Sequence, residues 1–358
     1  MMQSANLDKI LINSLTLISP IFTPLGLVLS LPGSLLNHSC NPNCATTFNG
    51  RSMELRVLEP TQSNTELTIS YTHTTISAEL RRQDTQNRYH FICKCSQCIG
   101  GLTLNHPDID PKVQLLTSDA VREDFQKEVS SFMIKARDQP ATEALGTISE
   151  AYQLCRKHAD YPPWRSPLLQ LRLDFVMVLN AKKLRVAGFI QSTILHFKTD
   201  PIIYSQRSHP ARVAHTYVYS RITAYIAGIA KGSGFAALVG ESDEGELADS
   251  LGEEFGFEWG LIVYALVKEA SDHVLQSHGL ESRFSLEVGR QMSSIRQQAA
   301  IHHGEPSKKD LERAKAKLVD VANRGWDWWI QQMRARQRTR VLGSSDSRAK
   351  DGLSILLR

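Results

Sequence analysis

The chain has 358 residues, 42% hydrophobic and 22% charged, with a formal net charge of +4. That length accommodates two domains with cores of their own, the balance is that of an ordinary soluble protein, and the charge is too mild for a strongly basic nucleic-acid binder. Positions 10–50 carry no Asp, Glu, Lys or Arg, but Asn13, Pro20, Pro24, Pro32 and Gly33 interrupt the tract. No run of about 20 apolar residues survives, so it reads as buried strands and loops rather than a spanning helix. The opening residues show no secretory pattern of a charged segment, an apolar segment and a cleavage site.

In chain order, Leu7, Ile10 and Leu11 have helical spacing and predict the tail of a helix over residues 1–12. Asn13-Ser14-Leu15-Thr16 changes to strand chemistry, and Gly26 to Leu31 reads as a short strand closed by Pro32-Gly33. Cys44 to Phe48 and Met53 to Leu58 flank Asn49-Gly50, a hairpin signal because both residues tolerate positive φ. Glu66 to Tyr71 predicts a further strand. Ser77 to Arg88 predicts a helix capped by Ser77, with Glu79, Arg81, Arg82 and Arg88 in solvent. Gly100-Gly101 and Asn105 to Pro111 read as a linker.

Beyond the linker almost everything has helical period. Leu145, Ile148, Tyr152 and Cys155 form one stripe, and Leu168, Leu171, Phe175, Val178 and Leu179 another. Phe189, Ile190, Ile194 and Phe197 continue the pattern, then Val213, Tyr217, Ile222, Tyr225 and Ile229. Such stripes bury against each other, which predicts a stacked helical array. Between Leu238 and Glu254 every charge is acidic, and the segment reads as a solvated, mobile loop. Met333 to Arg358 runs basic and reads as a frayed tail, with Trp326, Trp328 and Trp329 docking the last helix.

Three stretches concentrate chemistry: Leu35-Leu36-Asn37-His38-Ser39-Cys40-Asn41-Pro42-Asn43, Glu66-Leu67-Thr68-Ile69-Ser70-Tyr71, and Tyr89-His90-Phe91-Ile92-Cys93-Lys94-Cys95-Ser96-Gln97-Cys98. Reactive loops between strand-like segments mark sites more often than cores. Three of the six cysteines crowd into the last stretch, where neighbours bridge only with strain, so metal binding is expected over disulfides. Free thiolates fit a reducing cytosol or nucleus. A closed structural zinc site takes four ligands, and the residues alone leave the fourth open between Cys40 and Cys44. Cys155 lies on a helical stripe and reads as a small buried hydrophobe. Only Lys94 puts charge inside the knuckle, which argues against direct sequence-specific nucleic-acid binding.

Together with Asn13-Ser14 and Ser34, these motifs resemble the second half of a SET domain followed by its zinc-binding post-SET segment. The form is that of SET- and MYND-type protein-lysine methyltransferases, especially fungal ones. The resemblance covers roughly residues 5–100. It implies a small β-rich partial SET domain with a zinc-binding knuckle over residues 1–100. With a linker over 101–111, an α-helical array over 112–341 and a basic tail over 342–358 read from composition and period, the expected fold is α+β. The resemblance implies S-adenosylmethionine as methyl donor and a protein substrate, histone or non-histone, presenting a lysine, in the nucleus or cytoplasm and away from membranes. Asn13, Ser34, Leu36, Asn37 and His38 would line the donor pocket, and Phe91 would stack on the adenine. Tyr71 would be the catalytic tyrosine, Tyr89 would flank the lysine channel, and Cys40, Cys93, Cys95 and Cys98 would bind zinc. Taken singly, His38, Tyr71 and Phe91 are ordinary core or strand-end residues; their order and spacing carry the reading. A complete member of the family also has an earlier SET half with a glycine-rich turn, and a MYND module. Neither pattern occurs in these residues, which implies poor donor binding by this chain. The alternative is a non-catalytic, zinc-stabilised interaction scaffold derived from such an enzyme.

Overall fold

A computed structural model of the chain describes residues 9–20, 24–76, 78–99, 123–157, 168–230, 243–302 and 304–342. After a helical turn at residues 9–13, β1 (Ser14–Ile18) pairs antiparallel with β2 (Pro24–Leu29). A 3-10 turn over Gly33–Leu35 leads into β3 (Asn37–His38). β4 (Cys44–Asn49) and β5 (Ser52–Val57) form an antiparallel hairpin, and β6 (Thr68–Ile69) runs parallel to β3. The hairpin turn differs by one residue from the expected Asn49-Gly50. Asn49 pairs with Ser52 and stays in the ladder, so Gly50-Arg51 makes the loop, with Gly50 at φ 61°. The predicted strand Glu66–Tyr71 shrinks to Thr68–Ile69, because side chains take backbone groups at both ends, Asn43 at the start and His38 at the Tyr71 N–H. Asn43 Nδ2 donates to the Glu66 carbonyl (2.8 Å), and the Thr68 N–H donates to Asn43 Oδ1 (2.8 Å).

Two helices complete this part, α1 (Ala78–Tyr89) and α2 (Ser96–Ile99). The expected cap Ser77 and the side chain of Glu79 lie outside the described residues. The expected solvated face of α1 is corrected at two arginines. Arg81 is fully buried and Arg82 half-buried, while Arg88 is exposed. Burial is possible because the Arg81 guanidinium donates to the carbonyls of Ile76, Thr74 and Gln97, and Arg82 donates to the Cys98 carbonyl.

The remainder is helical: α3 (Glu123–Asp138), α4 (Ala141–Lys157), α5 (Leu168–Ala181), α6 (Arg185–Ile194), a π turn (Leu195–Thr199), α7 (Asp200–Ile203), α8 (Pro210–Ile229), α9 (Asp243–Phe255), α10 (Trp259–His278), α11 (Arg283–His302) and α12 (Lys308–Leu342). The fold class is α+β, as read from the sequence. Sequence neighbours pack pairwise from α3 to α6, α8 lies along α10, and α12 runs back across α6, α10 and α4. The predicted stripes supply the core: Ile148, Cys155, Leu168, Leu171, Phe189, Ile190, Ile194 and Ile222 are buried in one cluster. Gly325 lets α12 approach α6, since a Cβ there would meet Ile194 Cδ1 at 2.8 Å. From Asp243 on, the expected acidic loop is instead helix, over Asp243–Phe255, while residues 238–242 lie outside the described residues. Ala248, Leu251 and Phe255 recur at helical spacing and are buried, and that apolar stripe outweighs the charges beside it. The expected frayed tail is likewise helical as far as Leu342. The linker 101–111, residues 343–358 and the side chains of Trp326, Trp328 and Trp329 lie outside the described residues. Among the described residues no helix is long and apolar enough to cross a membrane.

The hairpin docks on the helical array through its polar tip. Asn49 Nδ2 donates to the Glu281 carbonyl (3.2 Å), the Arg283 N–H donates to Asn49 Oδ1 (3.4 Å), and Arg56 Nη2 donates to the His278 carbonyl (3.2 Å). Gly279 makes room for Arg56. Its φ of 84° and ψ of 159° are open to glycine alone, and a Cβ would overlap the guanidinium. Gly279→Ala should therefore cost roughly 1–3 kcal/mol, read as a lower melting temperature; an unchanged melting temperature would show that Arg56 swings away without loss.

Acid should weaken the same seam. His278 is buried against Phe284, with its Nδ1 2.8 Å from Ser277 Oγ. Burial, reinforced by Arg56, holds it down to about 4; burial likewise holds His209 down to about 3. Both depressions mean that the unfolded chain binds protons first. The stability they contribute is complete above the ordinary histidine pKa of about 6.5 and is lost as pH falls from there toward the folded values, by up to about 1.4 kcal/mol per pH unit per histidine. His215, raised by Asp200 against the opposing effect of burial, offsets part of this. Thermal melts at pH 7, 6 and 5 should show falling stability; a flat profile would contradict the burial of these rings.

Candidate active site and metal centre

The site is built where β3 and β6 meet. Both strands are two residues long, and Asn43 ties them together from the loop that follows β3. The 3-10 turn before β3 closes tightly because Gly33 is buried against Leu15 and Met53. Tyr71 stands two residues after β6, and its hydroxyl donates to the carbonyl of Leu36, the residue before β3. His38 lies between them: its Nδ1 accepts the Tyr71 backbone N–H at 3.0 Å, and its Nε2 is 3.2 Å from Cys40 Sγ. Burial, and then Arg81, hold the His38 pKa down to about 4, so the ring is neutral at physiological pH.

Rings gather around this junction. Tyr71 lies 4.8 Å from Tyr89, 5.3 Å from His38 and 6.4 Å from Phe91, centroid to centroid. Burial raises the Tyr71 pKa, with the neighbouring Tyr89 adding to it, and burial also raises that of Tyr89. Both hydroxyls stay protonated at neutral pH.

A cavity of about 670 Å³ opens beside the rings. Asn13, Ser34, Tyr71 and Tyr89 stand in its wall, with Ser14, Thr16 and Ser70 adding polar groups. Its size suits a small-molecule ligand. Four other residues singled out in the sequence are not in that wall. Leu36 contributes its carbonyl to Tyr71. Asn37 is exposed and donates to Glu66 Oε1 (2.6 Å), His38 is engaged as described, and Phe91 packs against the cysteines.

The sulfurs of Cys40, Cys93, Cys95 and Cys98 all lie within 4.8 Å of one another. Cys40 Sγ is 3.5 Å from that of Cys98 and 3.9 Å from that of Cys93. Tetrahedral zinc with sulfur at about 2.3 Å spaces its ligands by about 3.8 Å, so the group fits four thiolates on one ion. Cys44, the rival candidate, is buried on β4 outside this group. Burial raises the Cys40 and Cys93 thiols, whereas backbone N–H groups and neighbouring thiols outweigh burial at Cys95 and hold it down to about 7. Arg81 adds an independent argument for an anionic centre. Its Nη2 lies 3.9 Å from Cys98 Sγ, and among the described residues it meets carbonyls and sulfur rather than a carboxylate. A buried cation needs an opposite charge, and four thiolates on a divalent ion carry about −2. Sequence reasoning missed Arg81, because nothing local marks one arginine of an Arg-Arg pair as buried. It also assigned Asn43 no task, although the Asn-Pro-Asn turn was visible.

Comparison with known proteins finds relatives for this part of the chain. Residues 11–72 match the SET domain family model. Over 133 residues the chain is 33% identical to histone-lysine N-methyltransferase SMYD3 of Mus musculus, covering 37% of this chain and 28% of that protein. Over 100 residues it is 29% identical to SET domain and MYND-type zinc finger protein 6 of Schizosaccharomyces pombe, covering 28% of this chain and 21% of the relative. Histone-lysine N-methyltransferase ASHR1 of Arabidopsis thaliana is 30% identical over 93 residues, 26% of this chain and 19% of that protein. The similarity is thus to SET- and MYND-type methyltransferases, and the chain spans 19–28% of these relatives' length.

Proposed function

We propose that this chain forms the catalytic centre of an S-adenosylmethionine-dependent protein-lysine N-methyltransferase. The observation that carries the reading is the placement of Tyr71. Its protonated hydroxyl stands in the cavity wall beside Tyr89, oriented by the Leu36 carbonyl, within a segment that matches a SET domain. Asn13 and Ser34 would hold polar groups of the donor, and Tyr89 would flank the lysine. The bound donor supplies an electrophilic methyl group on a sulfonium.

The chain's task is then to present a neutral amine in line. Lysine begins with a pKa near 10.4, so deprotonation at neutral pH costs on the order of 4–5 kcal/mol. The apolar ring cluster disfavours the ammonium and lowers that cost. Tyr71 cannot serve as a base, because its pKa is raised. Its hydroxyl proton goes to Leu36, which leaves oxygen lone pairs to accept an amine N–H and fix the nucleophile's direction. Cys40, Cys93, Cys95 and Cys98 would hold one zinc ion. Four thiolates close the coordination shell, so the ion's role is structural: it fastens Phe91 and the 93–98 turn to the loop after β3.

The test is incubation of the chain, alone or within a longer product of the same locus, with the donor and a lysine-rich protein such as histones. Mass spectrometry should find lysines heavier by methyl increments. Donor binding without transfer would favour the scaffold reading instead.

A further inference from the structure

We infer that His38 is a positioning residue that couples the four-cysteine centre to the Tyr71 hydroxyl, rather than a wall of the donor cavity. The inference rests on the function proposed above and deepens it. The cavity wall includes Ser34, Ser70 and Tyr71 but not the His38 ring. Both ring nitrogens have partners of their own.

The pattern of protons decides the direction of each contact. The Tyr71 backbone N–H must donate, so His38 Nδ1 is the unprotonated nitrogen. In a neutral ring the proton then sits on Nε2, which lies 3.2 Å from Cys40 Sγ and donates to that sulfur. A thiolate accepts such a bond well, and outer partners of this kind orient metal ligands. Tyr71 is consequently fixed three times: its N–H by His38, its hydroxyl by Leu36, and its ring against Tyr89. Two of those anchors come from the short segment 36–38, which Cys40 ties to the turn 93–98. A shift of the sulfur would therefore reach the hydroxyl through one rigid ring.

Two substitutions separate the two contacts. In His38→Asn the side-chain oxygen takes the place of Nδ1 and can still accept from Tyr71, but nothing reaches Cys40. In His38→Gln the terminal amide takes the place of Nε2 and can still donate to Cys40, but Tyr71 loses its acceptor. For the asparagine variant, zinc should pass to a competing chelator about 10–100-fold faster, with a smaller fall in kcat than in the glutamine variant. For the glutamine variant, zinc retention should be close to wild type, while kcat falls about tenfold or more with donor affinity and KM nearly unchanged. Tenfold weaker donor binding in both variants, with kcat and zinc unaltered, would overturn the inference and return His38 to the donor pocket. Nitrogen-15 NMR of the zinc-loaded native chain gives a reading that needs neither variant nor activity. A proton on Nε2 and a bare Nδ1 are expected, and a proton on Nδ1 would refute the arrangement. A chain that shows this tautomer but transfers no methyl group would count against the proposed function and leave the His38 coupling standing.

Discussion

Cys40→Ser should strip most of the zinc from the chain and release the knuckle from the strands. Of the four sulfurs, three come from the single turn 93–98, and Cys40 alone comes from the other side of the site. Zinc binding in small thiolate modules is worth roughly 10–16 kcal/mol of folding free energy, as much as the whole stability of a typical domain at about 5–15 kcal/mol. Loss of the one ligand that bridges the two segments removes the clamp itself. It also leaves the buried charge of Arg81 without its counter-charge, a penalty of its own. The expected result is a metal content far below one equivalent, with rapid proteolysis between residues 36 and 99. The helical array should survive, since its core residues include none of the four ligands. Cys44→Ser is the control and should keep its zinc. Full metal in the Cys40 variant, or loss in the Cys44 variant, would mean that the centre is assembled differently.

Tyr71→Phe should abolish most of the turnover while sparing the donor. The substitution keeps the ring contacts with Tyr89 and His38 and removes one oxygen. That oxygen does its work as the methyl group moves, when the amine must point along the line of transfer. Removing a single preorganised polar group of this kind lowers kcat by about 10²–10³. An interaction made mainly in the transition state leaves ground-state affinity alone, so the donor dissociation constant should change by less than about threefold. The fold should lose little, because one hydrogen bond is worth roughly 0.5–1.5 kcal/mol. Single-turnover transfer beside calorimetric donor titration separates these quantities. Comparable losses in both would place Tyr71 among the donor-binding groups.

Which parts of this site could be read from the chain depends on how far apart its pieces lie. Cys93, Cys95 and Cys98 share one turn, so their spacing alone announced a metal. The helical stripes through Ile148, Phe189 and Ile222 were legible for the same reason: a period of 3.6 residues is a local property, and packing follows from it. The choice of Cys40 over Cys44 was not local. It depends on the loop after β3 meeting a turn 58 residues away, whereas Cys44 is taken into the hairpin. The two nitrogens of His38 were likewise undecided until Tyr71 arrived from 33 residues along the chain. Arg81 and the acidic helix α9 misled the sequence reading in one way. A charged residue is expected in water, and only tertiary packing supplies the carbonyls and sulfur, or the apolar partners on α6 and α8, that keep it or its helix in place. Residue types and local period determined the chemistry available to this protein. Contacts between distant segments, each closing a long loop at an entropic cost that only burial can offset, decided which residues share the site.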